Sequence, residues 1–326
     1  MQAGHLFSVI IPMRNEEENI ARCLTSLQHL QIAAEEFEVI VVDNGSGDHS
    51  VEVARQFQQS INLKILERPG IYISGARNAG AGVARGSYLA FLDADCEAKP
   101  DWLSQAASMI SRGSPGIFGS FYLIPDGSSW VARNWYGDRE RKESGEVSDL
   151  PGGDLFVSRE LFCRLQGFDE SIQTNEDFEF CQRARADGMS ICSLPELSVI
   201  HWGTPQSVAG FFRRHRWHGM HVLRVFLRNL PALYNFKAVA LAFYTVACVA
   251  AMLAGGIVAA RSGRFELMIG ATAALLAPPL LLGLRAAVAS RRLRPVAPMT
   301  LLFLIYAVAR AWSLLDWRNW MSRAAL

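Results

Sequence analysis

The sequence lacks the cysteine and glycine patterns of several large protein classes. Its six cysteines form no C-x-x-C pair and have no histidine at metal-ligand spacing, so they predict reduced thiols rather than a disulfide framework or zinc site. The dinucleotide-binding motif G-x-G-x-x-G is not matched, because Ser50 occupies the position of the third glycine after Gly45 and Gly47. No G-x-x-x-x-G-K-[ST] loop occurs either. These absences argue against a nicotinamide-dependent dehydrogenase and against a P-loop nucleotidase.

Acidic residues are nearly absent from the last part of the chain. Only Glu266 and Asp316 follow Glu196, against 15 Lys and Arg, which gives residues 197–326 a net charge of +13. Residues 1–196 contain 29 acids and 17 Lys and Arg, a net charge of −12. The first part therefore has the composition of a soluble domain, whereas the cationic, apolar second part is typical of contact with an anionic membrane face.

Three long apolar runs lie in the cationic part. Ala238–Ala260 and Leu267–Leu284 contain no charge, and Val296–Leu315 contains only Arg310. The first run is long enough to cross a hydrocarbon core of ~30 Å as a helix. For any single run, a buried soluble helix is the alternative. Three runs so close together favour a transmembrane domain, here placed at residues 238–326, with Trp312, Trp317 and Trp320 suited to the interface.

The distribution of basic residues predicts the orientation. Met1–His5 are followed directly by the strand-like Leu6–Ile11, so no N-terminal signal is expected. Arg285, Arg291, Arg292 and Arg294 lie between the second and third runs. By the positive-inside rule, the N-terminal domain is expected in the cytoplasm, at the inner membrane.

An arginine-rich amphipathic segment joins the two parts. Aromatic and aliphatic residues alternate with arginines over Gln206–Leu230. Such a segment, extended to residues 206–237, would suit the headgroup layer, with its arginines on phosphates. An ordinary packing helix with a solvated basic face is the alternative.

Alternating strand and helix signals fill residues 6–95. The strand-like runs are Phe7–Ile11, Phe37–Val42, Leu63–Leu66 and Tyr88–Leu92. Segments with helical spacing of apolar residues separate them. This alternation predicts an α/β fold with a mostly parallel nucleotide-binding sheet. Polar loops follow three of the strands, and all three are expected to open on one edge of the sheet.

Two carboxylates, Asp93 and Asp95, directly follow the run Tyr88–Leu92. Ligands of open α/β sheets bind where the strands end. A hard divalent cation with oxygen ligands would hold two such carboxylates and also bridge phosphates. The alternative is a pair of turn-capping carboxylates, because Asp is common after strands.

Ordered short motifs extend from residue 12 to residue 217. They are P-M-R-N-E at 12–16, V-V-D-N-G-S-G-D at 41–48, G-A-R-N at 75–78, D-A-D at 93–95, G-G-D at 152–154, G-F-D-E at 167–170, N-E-D at 175–177 and R-R-H-R-W at 213–217. In this order they resemble the motifs of family 2 glycosyltransferases, which are inverting enzymes with the type A glycosyltransferase (GT-A) fold. The resemblance covers about residues 6–220 and implies a GT-A domain over residues 1–205.

The resemblance implies roles for individual residues. Asp43 would hold the nucleotide base, and Pro12 and Glu16 would line the base and ribose pocket. Asp93 would touch the ribose and the metal, and Asp95 would bind the Mg²⁺ or Mn²⁺ that bridges the phosphates. The other implied donor-binding residues are Arg14, Arg77, Asn78, Arg216 and Trp217. The implied acceptor-side residues are Gly152, Gly153 and Asp154.

His201 lies where many type A enzymes have a further metal-binding histidine. For a single histidine, a structural role is the alternative to a metal ligand.

Direct displacement at a sugar carbon requires a carboxylate that takes the acceptor proton. Glu176 and Asp177 precede a predicted helical segment, and the motif match makes Asp177 the expected base with Glu176 as its neighbour. Because a helix N-terminus stabilises a carboxylate, capping by Asp177 is the alternative. If the acceptor is an ionised phosphate, no base is needed and Asp177 would orient it.

These features together predict a metal-dependent inverting glycosyltransferase. It would move a sugar from a nucleotide-sugar donor to a lipid or lipid-linked acceptor at the cytoplasmic membrane face, in glycolipid or exopolysaccharide synthesis. One alternative is a processive polysaccharide synthase, for which three spans are few. Another is a membrane-anchored module that binds nucleotide sugars without catalysis. Nucleic acid is not an expected partner.

Overall fold

The computed structural model describes residues 6–113, 116–137, 144–220, 222–228, 236–289 and 296–315. The chain divides into two compact units. The first contains Met1–Gly127 and Arg139–Thr204, and the second contains Ser128–Asp138 and Pro205–Leu326. The sequence predictions for Trp317, Trp320 and the basic-loop residues Arg291, Arg292 and Arg294 lie outside the described residues.

The first unit is built of strands and helices in alternation. Its strands are β1 (Phe7–Met13), β2 (Phe37–Asp43), β3 (Leu63–Glu67), β4 (Tyr88–Leu92), β5 (Cys96–Glu97), β6 (Ile117–Gly119), β7 (Gly145–Glu146), β8 (Asp154–Ser158), β9 (Ile191–Ser193) and β10 (Ile200–His201). Its α-helices are α1 (Ile20–Gln28), α2 (Ser50–Arg55), α3 (Ile73–Val83), α4 (Trp102–Ser111), α6 (Arg159–Arg164) and α7 (Glu176–Ala186), with α5 (Trp130–Trp135) in the second unit. Among the described residues, short 3-10 helices also cover Ala34–Glu36 and Pro195–Leu197.

Eight strands form one mixed sheet in the order β3-β2-β1-β4-β8-β6-β9-β7. The four strands predicted from the sequence, β1 to β4, are parallel to one another. Strand β8 is antiparallel to β4 and to β6. The predicted α/β fold is confirmed, and its parallel half carries the strand-end loops on one edge of the sheet.

The parallel strands are apolar on both faces because helices cover both. Every residue of β1 and β2 is buried. One hydrophobic cluster includes Val9 and Val41, and a second, on the alternate residues, includes Ile10 and Ile40. Such doubly covered strands are typical of parallel sheets. The buried sheet gives the polar strand-end loops a rigid base.

The small β5–β10 ribbon is part of the candidate site. The two strands are antiparallel, and His201 pairs directly with Cys96. Residues directly opposite each other in an antiparallel pair project to the same face. The ribbon therefore brings the segment after Asp95 next to His201.

The second unit is helical and contains three long apolar helices. Its helices are α5, α8 (Val208–Gly219), α9 (Val222–Arg228), α10 (Phe236–Ser262), α11 (Glu266–Ala289) and α12 (Val296–Leu315). The last three have the length and composition to cross a membrane, with mean hydropathies of 2.1, 2.0 and 1.6. This confirms three candidate spans at the predicted positions. Within the unit, Trp135 of α5 packs on Phe211 of α8 and Tyr306 of α12.

Candidate active site

Hydrogen bonds connect the loops that follow β1 and β2. The Asn15 N–H donates to Ser46 Oγ over 2.9 Å, and the Gly47 N–H donates to Asn15 Oδ1 over 2.8 Å. Asn15 has a positive φ of 55°, a left-handed conformation that asparagine tolerates better than most residues. The Glu16 N–H donates to Ser50 Oγ over 2.7 Å. Two of the predicted strand-end loops therefore form a single surface.

Asp43 shapes the second of these loops. Its buried carboxylate accepts from the Gly45 N–H over 3.1 Å and from the Ser46 hydroxyl over 2.5 Å. At the end of β1, Pro12 is buried, whereas Arg14 in the following loop is exposed. The structure places these residues at one sheet edge with Glu16, and their contacts with a nucleotide stay a prediction.

Arg77 connects two of the carboxylates that the sequence singled out. It lies on α3 with a side chain 2% exposed, and one guanidinium nitrogen is 2.7 Å from Asp93 Oδ1. Another is 2.5 Å from Glu176 Oε1. A Cβ on Gly152 would lie only 2.7 Å from the guanidinium, so a larger residue there would have to displace Arg77. The charged group of Arg77 is buried between the donor-side and base-side carboxylates, and its expected contact with the donor stays a prediction.

The carboxylates around Arg77 differ in their affinity for protons. Burial opposes ionisation of Asp93, but the charge and hydrogen bond of Arg77, together with His201 and the Tyr122 hydroxyl, outweigh it and lower the pKa of Asp93 below its ordinary value. Burial, and then the neighbouring Asp177 carboxylate, raise the pKa of Glu176 to about 7. Burial also raises the pKa of Asp177. The Arg77 guanidinium thus lies among several carboxyl groups. A carboxyl whose pKa lies near neutrality, as that of Glu176 does, suits proton transfer.

Asp177 lies in the first turn of α7 and is not its N-cap residue. The residue before the helix is Asn175, which has a φ of 67° and makes no side-chain capping bond. Asp177 Oδ2 accepts from the Gly152 N–H over 3.0 Å, and Oδ1 accepts from the Phe178 N–H over 2.8 Å. Asp177 is therefore not the residue that precedes the helix, although it accepts one N–H of the first turn. The contact with Gly152 joins the expected base to the predicted acceptor-side loop.

Asp95 and His201 form a pair that fits a divalent cation. The Thr204 hydroxyl donates to the His201 carbonyl over 2.9 Å, so its oxygen can accept from His201 Nδ1, also 2.9 Å away. This arrangement directs His201 Nε2 to Asp95 Oδ2, at 3.4 Å. Fixing one imidazole nitrogen in this way is how proteins orient a metal-binding histidine. A carboxylate oxygen beside an imidazole nitrogen is a donor set that suits Mn²⁺, and the carboxylate alone suits Mg²⁺.

Two neighbours refine the candidate metal site. Cys96 lies with Asp95 and His201 in a group whose ligand atoms are all within 4.8 Å of one another. Burial raises the pKa of the Cys96 thiol well above its ordinary value, which favours the carboxylate and the imidazole as ligands of a hard cation. Asp93 is held differently, since Arg77 occupies Oδ1 and the Tyr122 hydroxyl donates to Oδ2 over 3.0 Å. Its role as a metal ligand stays a prediction.

Two of the expected contact residues, Asn78 and Asp154, make hydrogen bonds within the protein. The Asn78 amide donates to the Phe168 carbonyl and accepts from the Phe168 N–H, both over 2.9 Å, so it holds the loop that contains G-F-D-E. Asp154 is fully buried and accepts from the Trp102 indole over 3.2 Å. The expected contacts of Asn78 with the donor and of Asp154 with the acceptor stay predictions.

Tyr122 is a site residue that the sequence analysis missed. It contacts Asp93, the Gly153 N–H and the His201 ring. No motif includes it, and its strand-end segment carries no signal that would have indicated a role.

Arg216 and Trp217 lie on α8 in the second unit. The Arg216 guanidinium lies 6.0 Å from the centre of the Trp312 ring, and the Trp217 ring packs on His218. Their expected contacts with donor and acceptor stay a prediction.

Comparisons with known proteins identify the family. The model of glycosyl transferase family 2 matches residues 8–165. Glycosyltransferase AglE of Haloferax volcanii is 33% identical over 206 residues, which cover 61% of this chain and 67% of the relative. Beta-monoglucosyldiacylglycerol synthase of Trichormus variabilis is 25% identical over 64% of this chain, but the match spans only 47% of that relative's length. The chain belongs to glycosyl transferase family 2.

A solved structure supports the fold. Mannosyltransferase PcManGT from Pyrobaculum calidifontis, in complex with GDP-Man and Mn²⁺, has a TM-score of 0.63 at 20% sequence identity. The similarity covers 98% of this chain and 88% of that one. The predicted GT-A fold is confirmed, and the protein is a glycosyltransferase.

Proposed function

We propose that this glycosyltransferase transfers a sugar, with inversion and with the help of a divalent metal, from a nucleotide-sugar donor to a lipid or lipid-linked acceptor. The proposal rests on one observation: the candidate metal-binding residues and the candidate acid–base residues lie together at one edge of the sheet. Asp95 and His201 offer a metal-binding pair, and Asp93 is joined through Arg77 to Glu176, the neighbour of Asp177. Binding of a nucleotide-sugar by PcManGT, which has the same fold, supports a donor of this class.

The acid–base groups supply the proton chemistry. In an inverting displacement the acceptor oxygen attacks the sugar carbon while a carboxylate takes its proton. Asp177 is the proposed base, because its side chain contacts the acceptor-side loop at Gly152 and its raised pKa favours holding a proton. Glu176 is bound to Arg77, which keeps it beside Asp177. If the acceptor is already an ionised phosphate, Asp177 orients it instead.

Asp95 and His201 are the proposed holders of Mg²⁺ or Mn²⁺, with Asp93 beside them. When bound, such a cation neutralises charge on the departing nucleoside diphosphate. The buried Arg77 holds Asp93 in position, and the Thr204 hydroxyl holds the ring of His201. Asp43, Pro12, Arg14 and Glu16 are proposed to receive the nucleoside part of the donor.

The second unit supports a membrane-embedded acceptor. Three apolar helices of suitable length follow the catalytic unit in sequence. The excess of basic residues in the loop between the second and third helices favours a cytoplasmic position for the N-terminal domain, at the inner membrane. A relative named beta-monoglucosyldiacylglycerol synthase points to a lipid acceptor, and glycolipid or exopolysaccharide synthesis is the proposed context.

The test is incubation of membranes that contain the protein with a panel of labelled nucleotide sugars. Lipids are then extracted and the product mass is measured. The proposal expects one labelled donor to give a lipid that is heavier by one sugar. A long polymer would instead indicate a processive synthase. Binding of a donor without any transfer would contradict the proposed reaction.

A further inference from the structure

We propose that Tyr122 is a positioning residue that couples three parts of the transfer site: Asp93, the acceptor-side loop at Gly153 and the ring of His201. The inference rests on the proposed function, because it assigns a role within the same reaction. Tyr122 lies outside every motif in the sequence, and the chain's fold alone brings it to the site.

The backbone fixes the place of Tyr122 beside the candidate metal pair. The Leu123 N–H donates to the Val199 carbonyl over 2.8 Å, and the His201 N–H donates to the Leu123 carbonyl over 3.0 Å. Leu123 also forms an isolated parallel bridge with Ile200. The segment that carries Tyr122 is thus held against β10 by backbone bonds that do not involve the Tyr122 side chain.

The hydroxyl of Tyr122 joins the donor side to the acceptor side. It lies 3.0 Å from Asp93 Oδ2 and 3.0 Å from the Gly153 nitrogen. An ionised carboxylate can only accept and a backbone N–H can only donate, so the direction of both bonds is fixed. The hydroxyl donates its single proton to Asp93 and accepts from Gly153. One oxygen atom therefore contacts both Asp93, which Arg77 also holds, and the Gly152–Gly153 loop.

Gly153 makes this close approach possible. A Cβ at this position would overlap Asp93 Oδ2 and the Tyr122 hydroxyl oxygen. Gly152, beside it, donates to the proposed base Asp177. A shift of the loop away from Tyr122 would therefore also move the partner of Asp177.

The ring of Tyr122 has a second, separate contact. It stacks on the imidazole of His201, with 4.5 Å between ring centres and 25° between ring planes. Thr204 holds His201 by its Nδ1 edge, and Tyr122 covers its face. The two contacts together limit rotation of the imidazole, so the ring of Tyr122 should preserve the direction of Nε2 toward Asp95.

These two contacts predict effects that can be separated by substitution. Tyr122→Phe removes both hydrogen bonds and keeps the aromatic ring. It leaves the Gly153 N–H without its acceptor and gives Asp93 more freedom, so kcat/KM for the acceptor should fall on the order of tenfold. Binding of Mn²⁺ should change by less than about twofold, since stacked rings persist. Tyr122→Leu removes the ring as well, and binding of Mn²⁺ should then weaken by about tenfold.

The experiment compares the full-length wild type with Tyr122→Phe and Tyr122→Leu. Tyr88→Phe is the matched control, because Tyr88 packs on Phe7 and Phe118 in the core of the same sheet. Binding of Mn²⁺ is measured by electron paramagnetic resonance in the presence of UDP or GDP. Steady-state kinetics use the acceptor that the wild type glycosylates, at a temperature well below every thermal midpoint.

The proposal requires acceptor kcat/KM to fall in Tyr122→Phe, Mn²⁺ binding to weaken only in Tyr122→Leu, and Tyr88→Phe to match the wild type. An equal acceptor kcat/KM for Tyr122→Phe and Tyr88→Phe would overturn it. Failure of Tyr122→Phe to fold would overturn it too, because the hydroxyl would then support the whole domain. If the wild type transfers no sugar to a lipid, the proposed acceptor is wrong, but the Mn²⁺ comparison still decides the role of the ring.

Discussion

The pH dependence of transfer should reveal the coupled carboxyls Glu176 and Asp177. Burial and Asp177 raise the pKa of Glu176 to about 7, and burial raises the pKa of Asp177. A base must be ionised to accept a proton, so the raised pKa of Asp177 predicts a kcat that is low in acid and rises through a midpoint above the ordinary range of an aspartate. Glu176, whose pKa is raised to about 7, is expected to ionise within the same rising limb. Initial rates at saturating donor, acceptor and metal, from pH 5.5 to 9, measure this profile.

Glu176→Gln tests the assignment because it removes one of the two coupled acids and keeps a hydrogen-bond acceptor for Arg77. The remaining Asp177 should then ionise more easily, and the rising limb should move toward lower pH. Glu160→Gln, an exposed position on α6, is the control and should leave the profile in place. A wild-type profile that is flat from pH 5.5 to 8.5 would refute the reasoning. An unchanged limb in Glu176→Gln would show that Glu176 does not influence the ionisation that controls turnover.

Three further outcomes are expected. Asp95→Ala should fold normally but lose Mn²⁺ binding and transfer, and excess EDTA should abolish wild-type transfer; full turnover in EDTA would contradict the metal requirement. Gly153→Ala should lower transfer at least tenfold, because its Cβ would collide with Asp93 and Tyr122, and wild-type rates would show that the loop has room to move. Protease outside intact cells or spheroplasts should leave residues 1–230 uncut; cleavage there, detected with an N-terminal epitope, would contradict the cytoplasmic orientation.

The sequence predicted the strands of the parallel half because each is a short apolar run. Tyr88–Leu92 has the same bounds in sequence and structure, and β1 and β2 differ from prediction only at their C-terminal ends. Burial on both faces removes the alternation of an exposed strand and leaves a strong apolar signal. The same local signal identified the three long apolar helices. The antiparallel strand β8 depends on pairing with distant strands and had no such signal.

Only part of the candidate site could be predicted from the sequence. Motifs identified Asp95, His201, Glu176 and Asp177, but spacing along the chain does not show which charge pairs with which. The burial of Arg77 between Asp93 and Glu176 depends on α3 and α7 meeting, 99 residues apart. In the second unit, the packing of Trp135 on Tyr306 is equally long-range. Such contacts arise from tertiary packing, which local patterns do not encode.

The most direct test of the account is the turnover of Asp177→Asn compared with its affinity for the donor. Asparagine keeps the size of aspartate and an oxygen that can accept from the Gly152 N–H. If Asp177 is the base, turnover should fall by a factor on the order of 10²–10⁴, whereas the dissociation constant of the donor should be unchanged. Near-normal turnover would contradict the assignment of Asp177 as the base. Equal loss of turnover and donor binding would place Asp177 on the donor side instead.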